Sequence, residues 1–160
     1  LTGGKGNVNK LRTSGFFYIT EIWEDSIMPD EEGITPQGLG APNVRGYREL
    51  ENTTAFQANA SLKPTAKLEL FGSFTLLKAT EAIHAWQASG DDFAIDANTS
   101  ADDIGSEFDF RISYVIEKGL SAHLRGGFFF PGDAAQYLIN GNLNNSDTAL
   151  ELKGMITYGF

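Results

Sequence analysis

The sequence contains no cysteine, which removes disulfide frameworks, thiolate metal sites and cysteine nucleophiles together. Basic residues are scarce: 12 Lys and Arg stand against 21 Asp and Glu, for a formal net charge of −9. So acidic a balance argues against a nucleic-acid partner, which needs a basic face. No stretch approaches the roughly 18 continuous apolar residues of a transmembrane helix. Helical periodicity is weak throughout. Position 1 is Leu, with no initiator Met and no basic, apolar leader segment. The reading is therefore of a processed chain or of a piece of a longer one.

What acid there is gathers in stretches. Glu24, Asp25, Asp30, Glu31, Glu32, Glu49 and Glu51 fall in one. Glu81, Asp91, Asp92, Asp96, Asp102 and Asp103 fall in another that carries no Lys or Arg. Both read as solvated loops, the usual place for charge runs.

Alternation of period two is the dominant pattern. It is clearest in 107–116, where Phe108, Phe110, Ile112, Tyr114 and Ile116 oppose Glu107, Asp109, Arg111 and Ser113. Residues 55–63 set Phe56, Ala58, Ala60 and Leu62 against Gln57, Asn59, Ser61 and Lys63. From Lys67, the residues Leu68, Leu70, Gly72, Phe74 and Leu76 oppose Glu69, Phe71, Ser73 and Thr75. Leu120, Ala122, Leu124, Gly126 and Phe128 then oppose Ser121, His123 and Arg125. The last segment sets Leu150, Leu152, Gly154, Ile156, Tyr158 and Phe160 against Glu151, Lys153, Met155 and Thr157. A further strand is expected near Ser14–Trp23, with unclear faces.

These six strands have connections of alternating length. Pro64-Thr65 and Glu117-Lys118-Gly119 make tight turns, with Pro and Gly where turn geometry wants them. The other connections are expected to be long, at about 24–52, 80–103 and 131–146. Short turns at one end and long loops at the other is the layout of an outer-membrane barrel. A soluble sandwich mixes loop lengths at both ends. Aromatic residues at strand ends (Phe128, Phe129 and Phe130; Tyr158 and Phe160) fit interfacial girdles. Glycines on the apolar face (Gly72, Gly126, Gly154) are not what a soluble core would place there. The expected fold is an all-β, antiparallel up-and-down transmembrane β-barrel. Closure takes at least about eight strands, so residues 1–160 are read as one domain, the C-terminal segment of a larger outer-membrane barrel.

Residues 147–160, DTALELKGMITYGF, resemble the C-terminal signal of outer-membrane proteins, in which a terminal Phe follows alternate apolar positions, here Tyr158, Ile156 and Leu152. Gly154 stands one position from its place in the most familiar form of that signal. The resemblance implies that the barrel-assembly machinery reads the last strand through Tyr158 and Phe160. Residues 104–133, IGSEFDFRISYVIEKGLSAHLRGGFFFPGD, are similar to the closing region of alginate-export-like porins. There a strand opening G-x-E-x-D, a short periplasmic turn and an F-F-P-G run recur. Gly105, Glu107, Asp109, Phe129, Phe130, Pro131 and Gly132 carry the match. It implies an outer-membrane location, contact with outer-membrane lipid and a porin-like function.

Site candidates follow from the polar faces. Glu107, Asp109, Arg111, His123, Arg125, Glu151 and Lys153 are the expected pore-lining residues, since charged ladders of this kind set selectivity in pores. The alternative for each is mutual pairing that stiffens the wall. The expected function is a channel passing hydrophilic, anionic or saccharide-like solutes by passive diffusion, with long loops folded over the outer mouth. No enzyme activity, cofactor, metal or catalytic residue is implied. Asp91-Asp92 with Asp96, and Asp102-Asp103, offer oxygens to Ca²⁺ but lack EF-hand spacing. Two rival readings remain. One is a secreted, soluble β-sandwich binding glycans through Trp23, Trp86 and Tyr137. The other is a rim enzyme using His84 or His123, for which no nucleophile is placed.

Overall fold

The computed structural model describes residues 20–23, 52–89, 92–144 and 146–159. Five strands and one helix are built from them: β1 (Thr53–Leu62), β2 (Leu68–Ser89), β3 (Asp92–Glu117), β4 (Leu120–Pro131), α1 (Asp133–Asn140) and β5 (Ala149–Tyr158). The strands form one antiparallel sheet in sequence order, an up-and-down meander whose outer edges at β1 and β5 do not meet. This is the all-β layout of a partial barrel. Among the described residues there is no second sheet packed against this one. The expected strand near Ser14–Trp23 falls mainly outside the described residues, and residues 20–23 form a turn rather than a strand.

The faces are inverted relative to a soluble sheet. On β3 the charged Glu107 and Asp109 are buried while Phe108, Ile112, Tyr114 and Ile116 are exposed. β2 repeats this, burying Ser73 and Thr75 and exposing Phe74 and Leu76. On β5, Leu150, Leu152 and Ile156 lie open, the last 73% exposed. In water such a face would be an unpartnered apolar patch of the kind monomers avoid. In lipid it is the expected outer wall. β1, β4 and β5 are 10, 12 and 10 residues long, close to the roughly 9–11 that one tilted crossing needs.

The two short connections lie where the sequence places them. At the first, Thr65 Oγ1 accepts the amides of Lys67 and Leu68 at 3.2 and 3.1 Å, closing the turn after Pro64. At the second, Lys118-Gly119 joins β3 to β4, and the Gly159 amide reaches the Gly119 carbonyl at 2.8 Å. Both turns therefore lie at the same end of the sheet as the last residues of β5.

The expected loop at 80–103 is instead strand over its described residues, up to Ser89 and from Asp92. β2 and β3 run on for 22 and 26 residues, and at about 3.3 Å per residue β2 alone spans roughly 70 Å. β1 pairs only as far as Ala79, and β4 only as far as Gly105. Beyond those points the hairpin continues as a two-stranded ribbon. Register shifts at Leu77/Lys78, Lys78/Ile83 and His84/Ala85 swap the faces along it. Bulges of this kind break the alternation that marks a strand in sequence.

The connection at 131–146, expected from the sequence to be a long loop, contains helix α1. Gly132 is its N-cap, Asp133 stands in the first turn, and Gly141 closes it with φ 74° and an amide bonded to the Tyr137 carbonyl. α1 packs against β3 and β2, burying Ala134, Ala135, Tyr137 and Leu138 with Leu77, Ala79, Ile83 and Ile104. This small apolar cluster sits on the otherwise polar face, at the long-strand end. An isolated two-stranded ribbon is marginal. Here α1 props it: the Trp86 amide donates to the Gly141 carbonyl at 2.9 Å and its indole N–H to the Tyr137 carbonyl at 2.7 Å.

Candidate functional site

Strand parity puts all seven expected charged residues on the polar face, and register arranges them in rows. Phe71, Arg111, Arg125 and Lys153 are successive partners across β2, β3, β4 and β5. Ser73, Asp109, Gly127 and Glu151 form the next row, and Thr75, Glu107, Phe129 and Ala149 the one after it. On the other side of the basic row lie Glu69, Ser113, His123 and Met155. Three cations thus stand side by side on three neighbouring strands.

Like charges directly opposite are destabilising in a sheet. At a separation of about 6 Å and an effective dielectric between about 20 and 80, each contact costs roughly 1–3 kcal/mol. Two of the three cations have a carboxylate partner. Lys153 pairs with Glu151 at 2.6 Å and Arg125 with Glu21 at 3.4 Å, and partly exposed pairs are worth about 0–1 kcal/mol each. Arg111 lies over the Phe71 ring at 5.0 Å, a contact of about 0.5–1 kcal/mol at an accessible site. The row concentrates positive potential on one strip of wall.

The acidic side chains one and two rows away are largely occupied. Residues 20–23 fold down onto them as a turn. Glu107, with 0% exposure, accepts the amides of Ile22 at 2.5 Å and Trp23 at 2.9 Å. Asp109 accepts the Glu21 amide at 3.4 Å and the Ser73 hydroxyl at 3.4 Å. Bonds from amides to a carboxylate are among the stronger hydrogen bonds, and a buried carboxylate needs them to exist there. Trp23, 2% exposed, stacks on Phe129 with centroids 5.2 Å apart. Phe129 therefore leaves the expected lipid girdle and points inward, while Phe128 and Phe130 remain on the exposed apolar face.

The stretch that carries the family resemblance now has a physical reading. Glu107, Asp109 and Phe129 seat the turn. The Gly132 amide donates to the Ile104 carbonyl at 2.8 Å and starts α1. Sequence reasoning missed the turn because Glu107 and Ile22 are 85 positions apart, and no local pattern links them.

The remaining candidates separate. His123 bonds Ser113 Oγ at 3.0 Å and Thr157 Oγ1 at 3.3 Å, a polar ladder across β3, β4 and β5. His84 lies on the ribbon opposite Ser100, so the two histidines share no site. The acidic ribbon residues also diverge. Asp102 pairs with Lys78 at 3.3 Å, and Asp96 accepts the Asn98 amide at 2.9 Å and the Thr99 hydroxyl at 2.6 Å. Among the described residues no three acidic or histidine side chains converge on a metal position, and Asp91 lies outside them. Trp23 and Tyr137 are buried and Trp86 is half-buried, so they are not the exposed glycan platform of the sandwich reading. A cavity of about 490 Å³ opens between the ribbon and α1, lined by Trp86, Gln87, Asp96, Tyr137 and Asn142 among others. Tyr158 lies exposed on the apolar face of β5, while Phe160 is outside the described residues.

A family model described as alginate export matches residues 42–146. No curated protein and no solved structure matches the chain.

Proposed function

We propose, because the chain belongs to the alginate export family, that it forms part of the wall of an outer-membrane channel passing hydrophilic, anionic solutes by passive diffusion. The polar face is then the lumen and the apolar face meets lipid. The family is a channel kind of protein and an outer-membrane one, and the inverted faces of the sheet support that placement. The observation that carries the choice of solute is the basic row Arg111–Arg125–Lys153 in direct register. Lys153 and Arg125 pair with Glu151 and Glu21, while Arg111 lies over the Phe71 ring. The net charge of −9 does not oppose this. A solute on the axis responds to the local field of the wall, and much of the acid lies on the ribbon and in the 24–51 stretch.

The edges at β1 and β5 bear on the domain reading. In hydrocarbon every unpaired backbone group costs several kcal/mol. Both edges therefore need strands beyond the five described here, which supports a segment of a larger barrel. The exposed alternation of Leu152, Ile156 and Tyr158 supports β5 as the strand offered to the barrel-assembly machinery. Helix α1 and the ribbon narrow the long-loop mouth.

The test is ion selectivity of the full-length protein in planar bilayers under a KCl gradient. Replacing Arg111 and Arg125 together by Ala is expected to move the reversal potential towards cation preference. A reversal potential unchanged from wild type overturns the anionic reading.

A further inference from the structure

We infer that the turn over residues 20–23 is a built-in anion that occupies the basic row, so that the Glu21 carboxylate and a passing anionic solute compete for Arg125. The inference rests on the reading of that row as an anion path and adds the residue that regulates access to it.

Arg125 is the middle member of the row, with Arg111 on one side and Lys153 on the other. Glu21 Oε2 lies 3.4 Å from its Nε; Oε2 is itself buried, while the Arg125 side chain is 36% exposed and so open to a solute. The turn has holds on the wall besides this ion pair: the amides of Ile22 and Trp23 are bound by Glu107, the Glu21 amide by Asp109, and the indole stacks on Phe129. Glu21 is thus delivered to the row by contacts made elsewhere, and its carboxylate can leave Arg125 without the turn leaving the wall.

The wall is shaped to receive the turn. Gly127 is the register partner of Asp109 on β4, and a Cβ there would lie 2.3 Å from Asp109 Oδ1. Only glycine leaves that oxygen room to meet the Glu21 amide. The wall carboxylate of Glu151 stands one row away on the adjacent strand and is paired with Lys153. The Glu21 carboxylate is brought instead from a distant part of the chain. It is a tethered ligand, and a solute's apparent Kd at Arg125 is raised by the fraction of time the tethered carboxylate holds the guanidinium.

The experiment is block of KCl current by citrate through the full-length protein in planar bilayers, with wild type, Glu21→Gln, Glu21→Asp, Arg125→Ala and the Glu21→Gln/Arg125→Ala double variant. Folding of each is checked by resistance of the barrel to unfolding on unheated gels. Glu21→Gln keeps the shape and the backbone contacts of the turn. It is expected to lower the half-blocking citrate concentration about fivefold, the worth of one partly exposed ion pair. Glu21→Asp, which keeps the charge, is expected to stay within about twofold of wild type on the same grounds. In the Arg125→Ala background the Glu21→Gln effect should vanish. If Glu21→Gln leaves block unchanged while Arg125→Ala still shifts the reversal potential, competition by the turn is refuted and the basic row stands. If neither variant changes block or reversal potential, the anion path itself fails, and the inference with it.

Discussion

Ile112→Arg puts a guanidinium on the apolar face of β3 near the middle of its crossing. The β3–β4 ladder runs from Gly105↔Pro131 to Glu117↔Leu120, and Ile112↔Leu124 lies near its centre. If that face meets lipid, an Arg at this depth costs about 2–4 kcal/mol, whereas one near the interface costs about 0–1 kcal/mol. Phe130, exposed at the long-strand end of the same ladder, is the interfacial control. At about 1.4 kcal/mol per decade, the central substitution should reduce the folded-to-unfolded ratio roughly 30- to 700-fold. If the same face met water, both substitutions would fall within about 0.5 kcal/mol of wild type. The assay is equilibrium guanidinium unfolding of the full-length protein in phosphatidylcholine vesicles, followed by tryptophan fluorescence, with equal slopes required before midpoints are compared. Ile112→Arg and Phe130→Arg agreeing to within about 0.5 kcal/mol would refute the lipid-facing assignment, whatever their absolute values.

Gly141 adopts φ 74° and a Cβ there would lie 2.1 Å from the Trp86 carbonyl oxygen, whereas one on Gly154 meets nothing within 4 Å. Gly141→Ala should therefore destabilise the α1–ribbon junction by more than about 1–2 kcal/mol, with a red shift of Trp86 emission, and Gly154→Ala should stay within about 0.5 kcal/mol. A silent Gly141→Ala would contradict the close approach. On the ribbon, beyond the crossing, the Thr99 hydroxyl and the Asn98 amide hold the Asp96 carboxyl below its ordinary pKa. A depressed folded value stabilises the Asp96–Thr99 segment of β3 above the ordinary pKa and loses that contribution as pH falls through the folded one. Protection of the Asn98 amide from hydrogen exchange should be flat from about pH 7 to 5 and fall only below about 3.9; protection unchanged at about pH 2 would be the wrong result. Removal of Phe160 together with Tyr158→Ser should lower the folded fraction in cells while leaving refolding into detergent intact. Equal loss in both settings would mean that the last strand matters for stability and not for assembly.

The strands that cross were legible because each alternates without interruption between two turns of unambiguous chemistry. Phe108 to Ile116 against Glu107 to Ser113 is a pattern that only a two-faced strand satisfies. The ribbon was not legible. Its bulges between Leu77 and Ala85 reverse the faces every few residues, and Glu81, Asp96 and Asp102 give it the composition of a loop. Helix α1 escaped because its 8 residues make barely two turns, too few for a helical period to stand out. At the site, parity alone put Glu107, Asp109, Arg111, His123, Arg125, Glu151 and Lys153 on one face. Their grouping into rows needed register, which an irregularity between Val115 and Glu117 shifts by one residue beside the Lys118-Gly119 turn. The turn over residues 20–23 lay beyond any local rule.

Register partners lie along the hydrogen-bonding direction, perpendicular to the strands. In a barrel whose strands tilt by about 40°, that direction does not circle the axis but climbs it. With strands about 4.8 Å apart, Arg111, Arg125 and Lys153 rise by roughly 3 Å per strand at that tilt. They form a short flight of steps instead of a ring. On the proposed anion path, a solute descending the wall would meet these cations in succession, each within reach of the last, along the thread of a screw with no single deep well to hold it.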